Sequence, residues 1–320
     1  MMKKVVLFPG QGSQTVGMFE KMVEGIDEQT KQQVNRQITA LSNVVNQNFE
    51  SLVNTDEAQL NITMNTQPAL YIHSIVLYQY MESLGFEADL YIGHSLGELT
   101  ALAASQVYSL DDGVKITRQR GELMDNAYPK GVGSMAAILK MDDHKLLELI
   151  GLIDKENHRL SIANFNTPSQ TVITGHYNAV EEFVSQCKEY GAKKAIQLNV
   201  SGPFHSPLMK TIEEPFKSYV QQLNTTNSMK PIIGNYSAKE EKVQERLIDH
   251  LVKQLYSPVR FVESIERAIE LGATEFIEVG NQSVLTNLVK KIIKEKGYNK
   301  EAFKVISIQT IKEVKEYLDE

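Results

Sequence analysis

The chain has 320 residues, a formal net charge of −7 and a pI near 5.6, without the basic surplus that binding nucleic acid requires. Hydrophobic residues make up 42% and charged residues 23%, an ordinary globular composition, and no apolar run approaches the length of a membrane span. The only cysteine, Cys187, rules out an internal disulfide, and the whole pattern is that expected of a cytoplasmic protein.

Two lysines and an apolar run, Val5 to Phe8, open the chain and stop at Pro9-Gly10, too short for the core of a signal peptide. This predicts a first strand leading into the loop Gly10-Gln11-Gly12. Two helical segments follow, broken near Gly25-Ile26-Asp27. Asn65-Thr66-Gln67-Pro68 is expected to open a helix over Ala69–Leu84, with Pro68 in its first turn. Ala88–Ile92 reads as a short strand and Leu96–Ala104 as a helix. A further helix over Leu110–Tyr128 carries Arg118 and Arg120.

From residue 131 to 199 the rhythm changes to strand, helix, strand, strand, helix, strand. Ser134–Leu139, Arg159–Phe165, Thr171–Thr174 and Lys194–Leu198 are the predicted strands, with a turn at Asn166-Thr167-Pro168. Asp142–Ile153 and Ala179–Tyr190 are the predicted helices. That order is the split βαβ, ferredoxin-like pattern. It divides the chain into a large α/β domain (1–130 and 200–320) and an inserted α+β subdomain (131–199). In the last third, a strand is expected near Pro231–Asn235, a helix over Val262–Leu271, a strand over Glu275–Val279 and a helix after Asn281. Alternation of strands with helices in the large domain predicts a parallel sheet covered on both faces, a hydrolase-like core.

The chemistry starts at Gly93-His94-Ser95-Leu96-Gly97. Gly-x-Ser-x-Gly between a strand and a helix is the pattern of a nucleophile elbow, in which small residues allow a turn sharp enough to expose the hydroxyl. A serine needs a base, and the chain has seven histidines. His94 should diverge from Ser95 on a tight elbow. His73 lies inside a helix, as a core or rim residue. His144, His158 and His176 fall at polar ends of elements, where solvated surface is the simpler reading, and His250 has no special setting. His205 follows Gly202-Pro203-Phe204 in a constrained loop just after a strand, where an open parallel sheet places reactive groups. It is the candidate base. Two backbone N–H groups are needed for the oxyanion. Leu96, after the nucleophile, supplies one, and Gln11 is the candidate for the other. A phosphate-binding reading of Gly10-Gln11-Gly12 fails because Thr15 stands where G-x-G-x-x-G needs glycine. Arg120 is either a solvated helix residue or a fixed guanidinium that binds a carboxylate in two-point fashion.

Six motifs stand in order: Pro9-Gly10-Gln11-Gly12-Ser13-Gln14, Thr66-Gln67-Pro68-Ala69, Gly93 to Glu98, Arg120-Gly121, Gly202-Pro203-Phe204-His205-Ser206, and Gln254-Leu255-Tyr256-Ser257-Pro258-Val259. Together the chain resembles malonyl-CoA:acyl-carrier-protein transacylases and the related acyltransferase domains of polyketide synthases. The resemblance implies that Ser95 carries malonyl as an ester in a ping-pong reaction. It implies that His205 shuttles the proton, held by a carbonyl at Gln254 rather than by a carboxylate. Arg120 would pair with the malonyl carboxylate, Gln11 and Leu96 would hold the oxyanion, and Gln67 and Met135 would line the acyl pocket. Phe204 resembles the residue of malonyl-selective members. No metal or cofactor is implied beyond the substrate malonyl-CoA and the phosphopantetheine of the partner. The partner would be an acyl carrier protein, a separate chain or a domain of a synthase; neither nucleic acid nor membrane is expected. Because such carriers are acidic, Lys188, Lys193 and Lys194, or Lys290 and Lys291, are docking candidates. Leu99 and Asn281-Gln282-Ser283 depart from the family pattern and leave fatty-acid and polyketide roles both open. Three alternatives remain: a hydrolase that clears stalled acyl groups from carrier proteins, an esterase of the α/β-hydrolase fold, and a non-catalytic carrier-binding scaffold. The hydrolase has no use for Arg120, and the esterase fold expects several strands before its serine.

Overall fold

The structure, a computed structural model, describes residues 3–155 and 159–319. Among these residues ten strands form two sheets. In chain order they are β1 (Lys3–Phe8), β2 (Leu90–Gly93), β3 (Gly133–Leu139), β4 (Leu160–Thr167), β5 (Gln170–His176), β6 (Lys194–Gln197), β7 (Ile232–Ile233), β8 (Glu240–Glu241), β9 (Ala273–Val279) and β10 (Lys304–Ile308).

The large sheet runs β10-β9-β1-β2-β7-β8. All its pairs are parallel except β7 with β8, so the expected parallel sheet has one short antiparallel edge. β1 lies near its centre and is buried on both faces. Val6 and Phe8 enter one apolar core with helix Thr63–Ser83, while Val5 and Leu7 enter another with helices Phe261–Glu270 and Val284–Glu295. This two-sided burial is why the strand reads as an unbroken apolar run.

The small sheet runs β4-β5-β3-β6 and is antiparallel throughout, with helices Asp143–Ile153 and Tyr177–Gln186. Alternation along β3 serves two purposes. Ala136 and Ile138 fill the small core with Leu149, Ile173 and Phe183, while Met135 and Ala137 join the large core. β4 touches the large domain through a bridge from Asn164 to Val259, so β6 is the outer edge.

Several expectations need correction. Helix Thr63–Ser83 starts six residues before the predicted Ala69, so Pro68 lies inside it rather than in its first turn. Proline cannot donate to the carbonyl four residues back, that of Met64. Arg118 Nη1 donates to that oxygen instead, at 3.2 Å, and also to Asn65 Oδ1 at 2.7 Å. Asp125 accepts the Met64 N–H at 2.7 Å, a donor that any helix start leaves open, and Arg118 replaces what the ring removes. The short helices Phe49–Thr55 and Glu57–Leu60, strands β8 and β10, and helix Ile311–Asp319 were not predicted. β4 continues through Thr167, which moves the turn to Pro168-Ser169. The second helix of the subdomain ends at Gln186, before Cys187 and Tyr190. Among the described residues no helix is long and apolar enough to cross a membrane.

Candidate active site

Ser95 stands between β2 and helix Leu96–Ala104 with φ 52° and ψ −105°, a conformation that L residues seldom adopt. The two flanking glycines make it possible. A Cβ on Gly93 would come within 1.9 Å of the Gly97 backbone, and one on Gly97 within 1.9 Å of the Phe8 carbonyl. Two side chains hold the strained residue. Asn235 Oδ1 accepts the Ser95 N–H at 2.7 Å, and Gln254 Nε2 donates to the Ser95 carbonyl at 3.0 Å. Asn235 also donates to the Gly93 carbonyl at 2.6 Å, so it spans the elbow.

Ser95 Oγ lies 2.7 Å from His205 Nε2. On the other side of the ring, His205 Nδ1 lies 2.9 Å from the backbone carbonyl of Gln254. A carbonyl only accepts, so Nδ1 carries the proton and Nε2 is free to accept from the serine. His205, like Ser95, has a positive φ, 58°, so the candidate nucleophile and the candidate base both occupy backbone conformations that the surrounding packing must enforce. Burial, and then the Arg120 charge, hold the His205 imidazole down to about 3 from its ordinary 6.5. The ring is therefore neutral at pH 7.

Arg120 is not solvated: 1% of it is exposed. Nη1 donates to Gln67 Oε1 at 2.9 Å, and Nη2 donates to Gln254 Oε1 at 2.8 Å and to Ser95 Oγ at 3.3 Å. Its Nε has no hydrogen-bond partner among the described residues. Burial lowers the guanidinium to about 10, opposed by Glu98, so the group remains a cation at neutral pH. Gly121 lets its helix approach the start of helix Thr63–Ser83, where a Cβ would lie 2.7 Å from the Met64 Cα.

These residues open on a cavity of about 100 Å³ between the two sheets. Ser95, His205, Arg120, Gln67, Met135, Phe204, Gln11 and Leu96 all line it. Leu96 is the first residue of its helix, where N–H groups lack an intrahelical acceptor. Gln11 reaches across to Thr63, its Nε2 donating to Oγ1 at 3.3 Å. Gln254 lies behind the cavity, fully buried, and touches it through its contacts with His205 and Arg120.

The remaining histidines sort by setting. His94 lines the same cavity, where it pairs with Asn166 at 2.8 Å and packs edge-on against Phe261 rather than bonding to Ser95. His73 is fully buried and stacked on Phe19, and burial holds it down to about 3. His144 is exposed and His176 half-buried. His250 packs beside Tyr236. His158 lies outside the described residues. Cys187 is buried, and burial pushes its thiol up. Among the described residues no group of three or more His, Cys, Asp or Glu side chains could hold a metal ion.

Two site residues went unread in the sequence. Asn235 reads in the sequence as the end of a strand, although a polar residue at the carboxyl end of a parallel strand is a signal for the site. Glu98 closes the elbow motif and carries no role of its own in the sequence. It is 1% exposed, and its Oε2 accepts from the Asn235 N–H and from Gln254 Nε2, each at 2.9 Å.

A family model described as an acyl transferase domain matches residues 5–317. A malonyl CoA-acyl carrier protein transacylase of Staphylococcus aureus is 41% identical over 316 residues, covering 98% of each chain. The transacylase of the same name from Bacillus subtilis is 39% identical over 317 residues, again covering 98% of each. Among solved structures, an acyl carrier protein S-malonyltransferase from Vibrio cholerae matches with a TM-score of 0.90 at 33% identity, over 98% of this chain and 99% of that one. The malonyl-transacylase PlMCAT, solved in complex with the type II polyketide synthase carrier protein AntF, is similar with a TM-score of 0.90 at 31% identity, over 99% of both chains.

Proposed function

Since the chain belongs to the acyl transferase domain family and is an acyltransferase, we propose that it moves a malonyl group from malonyl-CoA to the phosphopantetheine thiol of an acyl carrier protein. The observation that carries this reading is the buried cation beside the nucleophile: Arg120 Nη2 lies 3.3 Å from Ser95 Oγ. A charged group desolvated at that position needs a use, and the free carboxylate of a diacid thioester supplies one. An acyl hydrolase acting on neutral acyl groups brings it no carboxylate.

The steps follow from the hydrogen bonds. His205 Nε2 takes the Ser95 proton as Oγ attacks the thioester carbonyl. The oxyanion is held by the N–H groups of Leu96 and Gln11. Collapse breaks the carbon–sulfur bond, and the CoA thiolate leaves with the proton from His205. Malonyl is then an ester on Ser95. In the second half-reaction His205 takes the proton of the carrier thiol, the sulfur attacks the ester carbonyl, and the Ser95 oxygen recovers the proton.

Arg120 acts twice. It binds the carboxylate, and its charge is one cause of the low basicity of His205. When a malonyl carboxylate pairs with it, that repulsion weakens, and proton transfer to His205 becomes easier for this acyl group than for a neutral one. Phe204 and Met135, each 4% exposed, narrow the acyl space. An added α-methyl group is worth only about 1–3 kcal/mol in such a pocket, so preference for malonyl over methylmalonyl is graded rather than absolute. The reading needs no metal or redox cofactor. Its test is intact-mass spectrometry after mixing with malonyl-CoA and with acetyl-CoA: a malonyl adduct that passes to a holo carrier protein supports it, and rapid release of acetyl to water supports the hydrolase.

A further inference from the structure

Arg120 and Glu98 are each 1% exposed, and no hydrogen bond joins them directly. Among the described residues neither forms a salt bridge. One amide stands between them. Arg120 Nη2 donates to Gln254 Oε1 at 2.8 Å, and Gln254 Nε2 donates to Glu98 Oε2 at 2.9 Å. The amide dipole is aligned with both charges, its oxygen toward the cation and its nitrogen toward the anion. The same Glu98 oxygen accepts the Asn235 N–H at 2.9 Å, so both donors aim at one oxygen. Burial is the largest influence and raises the Glu98 carboxyl above its ordinary range, while the two donors and Arg120 oppose that rise. A lone guanidinium buried here would be costly, and an acid placed one amide away offsets that cost.

Building on the malonyl reading above, we propose that Glu98 is a positioning residue that supplies the resident counter-charge of Arg120 through Gln254 and thereby weakens the grip of Arg120 on the acyl carboxylate. The consequence is turnover. A desolvated guanidinium without a counter-charge would hold the malonyl carboxylate tightly and resist its release to the carrier. With Glu98 present, the substrate carboxylate binds a cation that is already partly compensated, and both anions share it until the acyl group leaves.

Glu98→Gln is the direct test, because both hydrogen bonds fall on one oxygen and the glutamine carbonyl can accept them. The probes are malonyl-CoA and acetyl-CoA, and the quantity read is the ratio of their second-order rates of adduct formation on the full chain. Glu98→Gln is expected to raise the malonyl-to-acetyl ratio roughly tenfold, because the counter-charge is gone, and to slow transfer of malonyl to carrier protein. Glu98→Asp keeps the charge and is expected to leave the ratio within about twofold of wild type, whatever its absolute rate. In an Arg120→Ala background Glu98→Gln is expected to leave the ratio unchanged. If Glu98→Gln does not fold, Gln254→Met removes the amide between the two charges while keeping the backbone carbonyl on His205; the Glu98 charge stays, so a smaller rise in the same direction is expected. An unchanged ratio in Glu98→Gln, an equal loss for both acyl groups, or a shift that persists without Arg120 would overturn the proposal. A wild-type chain that forms no malonyl adduct would instead overturn the malonyl reading itself.

Discussion

The Nη2 of Arg120 lies 3.3 Å from the Oγ of Ser95, so the cation proposed to bind the acid end of the acyl group already touches the atom proposed to carry it. In the proposed reaction, acyl selection and covalent chemistry therefore share one hydrogen-bonded cluster.

Arg120→Ala is expected to lower malonyl use by about 2–4 kcal/mol, while acetyl use changes less. Arg120→Lys should restore little. The guanidinium reaches Gln67 and Gln254 with separate nitrogens, at 2.9 and 2.8 Å, and an ammonium is a single point that cannot span both. Adduct formation with the two acyl-CoA esters checks this; full recovery in Arg120→Lys would mean that charge alone suffices.

The acid limb of kcat/KM should lie well below 6.5, because burial and Arg120 hold His205 down to about 3. Arg120→Gln removes the second cause and should move that limb upward. A limb near 6.5 in the wild type would contradict the neutral, buried imidazole.

Stability should respond to the same physics. His205 and His73 both have folded-state values near 3 against 6.5 when free. The unfolded chain therefore binds more protons below pH 6.5, and stability falls as pH falls through the window from 6.5 toward 3. Each histidine contributes a slope of up to about 1.4 kcal/mol per pH unit. Urea unfolding of the wild type and His73→Phe between neutral and mildly acidic pH isolates one of them. The variant should lose less stability on acidification, and parallel curves would show that His73 is not held neutral.

Asn235→Ala should loosen the elbow. It removes the acceptor for the Ser95 N–H and the donor to the Gly93 carbonyl, at 2.7 and 2.6 Å. Each buried group left unpaired costs about 1–3 kcal/mol. Thermal unfolding together with the rate of Ser95 acylation reads both effects, and an unchanged acylation rate would remove Asn235 from the positioning of the nucleophile.

Lys193 and Lys194 are exposed beside and on β6, the free edge of the small sheet, and Lys188 is exposed nearby in sequence. Charge reversal at Lys193 and Lys194 should raise the KM for carrier protein while malonyl-CoA hydrolysis is unchanged. An unaltered KM would direct attention to Lys290 and Lys291, which are exposed on helix Val284–Glu295.

Much of this was legible in the chain. The elbow is local: Gly93, Ser95 and Gly97 encode their own turn, so strand, serine and helix could be read together. The ferredoxin-like order of the subdomain was readable because its elements are short and regularly spaced. What was not legible depends on contacts distant in sequence. Pro68 signalled a helix start, yet Arg118, 50 residues later, satisfies the carbonyl that the proline leaves open. The burial of Arg120 depends on Gln67 and Gln254, which flank it from opposite ends of the chain. Asn235 and Glu98 carry no motif of their own; their importance exists only once β2, β7 and helix Gln244–Gln254 are assembled around Ser95.

The most direct test of the central claim is intact-mass measurement of the wild type, Ser95→Ala and Arg120→Ala after mixing with equal concentrations of malonyl-CoA and acetyl-CoA. The expected result is one malonyl adduct on the wild type, none on Ser95→Ala, and loss of the malonyl preference in Arg120→Ala. A malonyl adduct that persists on Ser95→Ala, or a malonyl preference that survives without Arg120, would contradict it.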